Sequence, residues 1–92
     1  MAYSPVHASK FKSDYKELQA SGRDEIPEVD QVLRLLVGGF RLPAQYRDHK
    51  LKGKWKTYRE CHVLPRDLLL IYRIEGKQIR FARLGSHEKL YK

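Results

Sequence analysis

Residues 58–72 read YRECHVLPRDLLLIY, a polar stretch that turns into the longest uninterrupted apolar run of the chain, Leu68–Tyr72. A short apolar run behind a turn containing proline is the pattern of a strand buried on both faces, so Leu68–Ile74 is expected at the centre of a sheet. The segment before it, WKTYRECHV (55–63), alternates. Trp55, Thr57, Arg59, Cys61 and Val63 fall on one face, and Lys56, Tyr58, Glu60 and His62 on the other. Beyond it, EGK (75–77) is a tight turn, and QIRFARL (78–84) alternates Ile79, Phe81 and Arg83 against Arg80, Ala82 and Leu84. The second half therefore reads as a small antiparallel sheet. Its polar stretch sets Arg59, Glu60, Cys61, His62, Arg66 and Asp67 beside the central strand.

The first half has the other period. SKFKSDYKELQASG (9–22) places Phe11, Tyr15 and Leu18 on one helical stripe, with Ser9 as a start signal and Gly22 as a stop. IPEVDQVLRLLVGG (26–39) repeats the stripe with Val29, Val32, Leu33 and Leu36; Pro27 suits its first turn and Gly38-Gly39 its end. Tyr3–Val6 adds a possible short strand, which Pro5 would confine to a sheet edge. The fold class expected is α+β: one domain over residues 1–92, a helical hairpin packed on an antiparallel sheet of three to four strands.

Of 92 residues, 41% are hydrophobic and 33% charged, which is globular rather than disordered composition. Five apolar residues in a row cannot cross a bilayer, and the N-terminus has no basic stretch followed by a long apolar segment, so neither a membrane span nor a signal peptide is expected. The single cysteine, Cys61, forms no intrachain disulfide and fits a reducing cytoplasm as a packing residue. The net charge of +8 is lopsided: residues 1–45 carry six Lys/Arg and six Asp/Glu, whereas residues 46–92 carry thirteen against five. Cationic charge gathered in one half is the footprint of a polyanion site, or else a solubilising face.

Three of the four histidines, His49, His62 and His87, lie in that basic half. RNA carries its own nucleophile in the 2′-hydroxyl. Cutting it needs one group to take the hydroxyl proton, another to protonate the departing 5′-oxygen, and cations to steady the phosphate. Histidine serves either proton role near neutral pH, and arginine and lysine supply the charge. Crowding by cations favours neutral imidazoles, which suits a base; an acid would want a carboxylate such as Glu60 or Asp67 nearby. The same histidines without convergence are surface decoration, and local physics leaves the two readings even. A zinc site from His49, His62 and His87 lacks the short ligand spacing of zinc motifs, and no metal or other cofactor is expected. Neither a Gly-rich phosphate loop nor a nucleophile elbow is present.

The ordered set Asp48-His49, Lys52-Gly53-x-Trp55, Tyr58-Arg59, His62-Val63 and Gly85-x-His87, around the LLLIY strand and the closing RFARLGSH, resembles the RelE superfamily of type II toxin–antitoxin toxins, and within it the YafQ-like branch. The resemblance covers residues 41–91, with FKSDYK (11–16) as weaker support. It implies the RelE-like fold and a ribosome-dependent endoribonuclease (mRNA interferase) that cuts mRNA in the A site without metal and arrests translation in the bacterial cytoplasm. It further implies His49, His62, Asp67 and His87 as the catalytic group; His87 as acid with His49 or His62 as base is the arrangement to test, and which histidine plays which part stays open. Arg59 then stands at a phosphate-contact position and Tyr91 at an aromatic site position. Lys50, Lys52, Lys54, Lys56 and Arg83 complete the RNA-binding set. Between His62 and Tyr72 the chain is one residue longer than the pattern, and Leu68 stands where an aromatic follows the aspartate. The implied partners are a cognate antitoxin, mRNA and the ribosome with its 16S rRNA. ParE-like toxins share the architecture but inhibit gyrase and need no histidine set; a non-catalytic RNA- or ribosome-binding domain is the third reading, and it would tolerate loss of the histidines.

Overall fold

The computed structural model describes residues 2–22, 25–64 and 68–91. In chain order they form β1 (Ser4–His7), α1 (Ser9–Ala20), α2 (Ile26–Val37), β2 (His49–Lys50), β3 (Arg59–Val63), β4 (Leu68–Glu75), β5 (Gln78–Gly85) and a single-turn α3 (His87–Leu90). The strands make one sheet in the order β1-β5-β4-β3-β2, so the apolar run is indeed its middle strand.

Four expectations need correction. The sheet has five strands, not three to four, and it is mixed: β1 runs parallel to β5, while the other pairings are antiparallel. The parallel pair follows from connectivity, because both helices intervene after β1 and carry the chain over before it returns. As expected for a strand with Pro5, β1 lies at the edge. The strand expected over 55–63 is also shorter, since residues 53–55 form a 3₁₀ turn and pairing starts at Arg59.

The alternation expected for 78–84 breaks at a bulge. Tyr72 stands opposite Phe81, but Ile71 stands opposite Arg83, which leaves Ala82 unmatched. A bulge shifts the phase of everything after it, so Leu84 rather than Arg83 joins Ile79 and Phe81 in the core.

Both helices cover one face of the sheet. Phe11 and Leu18 of α1 and Val29, Val32 and Leu36 of α2 pack with Cys61, Val63, Leu68, Leu70, Tyr72, Ile79, Phe81 and Leu84. Each such apolar side chain contributes roughly 1.5–3 kcal/mol by leaving water. Leu69 and Ile71, on the alternate positions of β4, are buried as well, which explains why this strand shows no alternation. Cys61 is fully buried, and burial pushes its thiol far above the ordinary cysteine value; it is a packing group. The Tyr15 hydroxyl donates to Asp30 at 2.7 Å and ties α1 to α2; burial, with that carboxylate, pushes its pKa up to about 12. His7 stacks on Phe11 and Phe81, apart from the histidines of the basic half. No helix among the described residues is long and apolar enough to cross a membrane.

Candidate active site

Cys61 and Val63 point into the helix-covered core, so alternation turns Glu60 and His62 to the opposite face of β3. His49 of β2 stands directly opposite Glu60 in the antiparallel pair and shares that face. The result is a carboxylate between two imidazoles: Glu60 Oε1 lies 3.4 Å from His49 Nε2 and 3.9 Å from His62 Nε2. The carboxylate is buried, whereas His49 is about half exposed at 47% of its side chain and His62 less so at 14%.

The other oxygen of Glu60 reaches the third histidine indirectly. Tyr91 donates its hydroxyl to Glu60 Oε2 at 2.6 Å, and the His87 ring lies against the Tyr91 ring with centroids 5.0 Å apart. The two residues are four apart across the single turn of α3, the spacing at which helical side chains meet. Burial, reinforced by the Glu60 carboxylate, raises the Tyr91 phenol well above its usual value, so it acts as a hydrogen-bond donor and not as a base. His49 and His62 are thus brought together on Glu60, which the sequence reading named only as a supporting carboxylate, and His87 is linked to it through Tyr91.

Arg47 is the residue that sequence reasoning missed. Its backbone is left-handed (φ 45°, ψ 46°), unusual for a residue with a side chain, and it closes the 3₁₀ turn Ala44–Tyr46 just ahead of β2. That bend places both ends of Arg47 in the site. Its guanidinium lies 2.9 Å from His62 Nδ1, and its carbonyl 2.6 Å from His49 Nδ1. A guanidinium only donates and a carbonyl only accepts, so in their neutral forms the two rings take opposite tautomers. Neutral His49 would carry its hydrogen on Nδ1 and accept at Nε2; neutral His62 would accept at Nδ1 and carry its hydrogen on Nε2.

Arg59 is placed elsewhere. It stands opposite Tyr72 on the face of β3 that Cys61 and Val63 share, and its guanidinium holds Asp48 at 2.9 and 3.2 Å. The Tyr72 hydroxyl donates to the same carboxylate at 2.5 Å. Asp48 directly precedes His49, so the cluster anchors the start of β2 from behind. Arg83 is likewise engaged, bonded to buried Asp14 of α1 at 2.9 Å. Lys50, Lys52, Lys54 and Lys56 are all exposed along and after β2, with Lys50, opposite Arg59, on the other face from His49. Asp67 lies outside the described residues.

The donor atoms of His49, Glu60 and His62 all lie within 4.8 Å of one another, a span that also fits a transition-metal ion. The His49 Nδ1–H on a carbonyl is the outer support that metal-bound histidines carry. At His62 the Arg47 guanidinium occupies that place and opposes a metal on Nε2.

Helices on one face of a small mixed sheet, with histidines and a carboxylate grouped on the other, are the arrangement that the resemblance to RelE-like toxin domains implies. Residues 3–92 match the family described as "Bacterial toxin of type II toxin-antitoxin system, YafQ". The mRNA interferase toxin YafQ of Escherichia coli (strain K12) is 37% identical over 86 residues, covering 92% of this chain and 91% of that one. Superposition on the crystal structure of the E. coli DinJ-YafQ toxin-antitoxin complex gives a TM-score of 0.88 at 34% identity over 100% of both chains. The crystal structure of a metal-bound toxin from Helicobacter pylori gives 0.84 at 36% identity, over 99% of this chain and 100% of that one. The chain belongs to the YafQ family of bacterial toxins of type II toxin–antitoxin systems.

Proposed function

We propose that this toxin is an mRNA interferase that cuts message in the ribosomal A site by metal-independent proton transfer on the face built around Glu60. The observation that carries the reading is the grouping of three histidines, far apart in sequence, on one buried carboxylate and its phenol partner. His49 Nε2, the available lone pair, takes the proton of the 2′-hydroxyl. The 2′-oxygen bonds to the adjacent phosphorus and the bond from phosphorus to the 5′-oxygen breaks. His87 gives its proton to that leaving oxygen. The products are a 2′,3′-cyclic phosphate and a 5′-hydroxyl. Glu60, 3.4 Å from His49 Nε2, stabilises the imidazolium as it forms, and His62 offers its Nε2–H to the phosphate.

Tyr91 positions His87, and the lysines at 50, 52, 54 and 56 hold the RNA backbone. Asp67 keeps its proposed role beside the reacting base or a histidine. A small open face supplies little positioning of its own, so the ribosome provides it and naked RNA is cut poorly. The site of action is then the cytoplasm. A cognate antitoxin is the expected protein partner, as DinJ is for the E. coli relative. Should a transition metal enter, His49, Glu60 and His62 would hold it, and by occupying the nitrogens that carry protons it would inhibit.

The test is a translation reaction in vitro with mapped mRNA ends. Wild type should yield cuts in phase with codons, and His87→Ala should lose at least a hundredfold, the scale of one positioned acid. Undiminished cutting by His87→Ala would overturn the assignment.

A further inference from the structure

Helix α3 carries His87 and leads into Tyr91, yet it is one turn long and buries none of its residues. A helix of that length has no stability of its own, and with Leu90 only half-buried its apolar packing is slight. An open cleft of about 150 Å³, lined by Asp14, Glu17, Leu18, Leu68, Leu84 and Lys89, lies beside it, so α3 borders space that is not filled. Beyond the Ser86 cap, two side-chain tethers reinforce it. One is the Tyr91–Glu60 bond on the site face. Lys89, two residues on from His87 and so on another side of the turn, makes the second. Its aliphatic stem crosses Gly85 so closely that a Cβ there would sit 2.9 Å from Lys89 Cδ. Its ammonium ends 3.0 Å from Asp14 and 2.8 Å from Glu17, both on α1.

Asp14 is built for this. It is buried on the inner side of α1 and accepts hydrogen bonds from the Arg83 side chain at 2.9 Å, the Leu84 amide at 2.9 Å and Lys89. The carboxylate therefore grips the end of β5 and, through Lys89, the turn that follows it. We infer that Asp14 and Lys89 are positioning residues for the cleavage reaction: together they strap α3 to α1 and set where His87 stands. This rests on the proposed role of His87 as the acid.

The experiment measures, on programmed ribosomes, the single-turnover cleavage rate at saturating toxin and the apparent Kd for the ribosome. The variants are Lys89→Met, Lys89→Arg, Asp14→Asn, the Met/Asn double variant and His87→Ala, all assayed below their melting transitions. The strap predicts that Lys89→Met and Asp14→Asn each lower the saturated rate about tenfold while Kd moves less than threefold. The double variant should lose little more than the larger single loss, because the Lys89–Asp14 link is broken in each, and Lys89→Arg should recover most of the rate. The two single variants change net charge in opposite directions, so an effect through RNA attraction alone would split them in Kd. That split, or additive losses, would overturn the inference. So would wild-type rates in Lys89→Met alongside an inactive His87→Ala. A fully active His87→Ala would instead remove the acid assignment on which the strap depends.

Discussion

Tyr91 donates its hydroxyl to Glu60 across 2.6 Å, joining the turn after the last strand to the middle of β3 and to both histidines beside it. Three groups, Tyr91, His49 and His62, thus share one carboxylate. Tyr91→Phe should remove this link alone, costing on the order of 1 kcal/mol in the transition state and therefore about a fivefold slower saturated rate. Glu60→Gln should cost more, roughly 10²-fold, because the amide keeps a hydrogen-bond acceptor but not the charge that, in the proposed reaction, stabilises His49 as it accepts the proton. Single-turnover cleavage on programmed ribosomes compares the three proteins directly.

The Asp48–Arg59–Tyr72 cluster assigns Arg59 to architecture. Arg59→Ala leaves the partly buried Asp48 without its cation and should destabilise the fold by roughly 1–3 kcal/mol in a denaturant titration. Binding of single-stranded RNA, measured as log K against log salt, should keep its slope in that variant. Lys52→Ala and Lys54→Ala should each flatten it by about 0.7, one released counterion apiece. Equal flattening by Arg59→Ala would return that residue to the phosphate set.

The acid limb of stability should depend on Asp14. Burial alone would raise its pKa, but bonds from Arg83, the Leu84 amide and Lys89 outweigh that and hold it below the ordinary carboxylate value. A carboxyl lowered by folding contributes stability that is complete above its unfolded pKa, about 3.9, and is lost as pH falls through the folded value. Asp14→Asn should therefore unfold more easily at pH 7, by roughly 1.5–3 kcal/mol, with the gap from wild type narrowing as pH drops below about 4. Denaturant midpoints across that range give the comparison, and a constant gap would contradict it.

Much of this architecture is written locally. The two helical stripes, the apolar run of β4 and the edge placement of Pro5 follow from period and side-chain type, and all appear where the sequence puts them. The parallel pairing of β1 was not legible, because pairing partners distant in sequence leave no periodic mark. Nor was the bulge at Ala82, which passes for regular alternation until its partner strand is seen. In the site, Glu60 and His62 were readable as neighbours on one face. Arg47 was not, since its part depends on a left-handed turn in a residue type that rarely adopts one. Asp14 did leave a signal, a carboxylate three residues after Phe11 on the apolar stripe, where a helix facing a core has no ordinary use for one.

Metal should act against this enzyme. The His49, Glu60 and His62 donors can take Zn²⁺ through atoms that the reaction needs. Toxin dialysed against a chelator and returned to Mg²⁺ buffer should keep its full cleavage rate, and added Zn²⁺ should slow it. Arg47→Ala should tighten that inhibition several-fold by freeing His62 Nδ1 to carry the hydrogen that metal binding at Nε2 requires. A rate that falls on chelation and returns with Zn²⁺ would place a metal in the mechanism.

The central claim, that the histidine face uses the RNA's own 2′-hydroxyl as nucleophile, is tested most directly by the chemistry of the cut. An mRNA carrying one 2′-deoxynucleotide on the 5′ side of the mapped scissile phosphate is presented on the ribosome beside its all-ribose twin. The ribose message should be cut to a 2′,3′-cyclic phosphate and a 5′-hydroxyl, and the deoxy message should stay whole at that position. Cutting of the deoxy message at a comparable rate, with 3′-hydroxyl and 5′-phosphate ends, would mean that water is the nucleophile and that the account of this site is wrong.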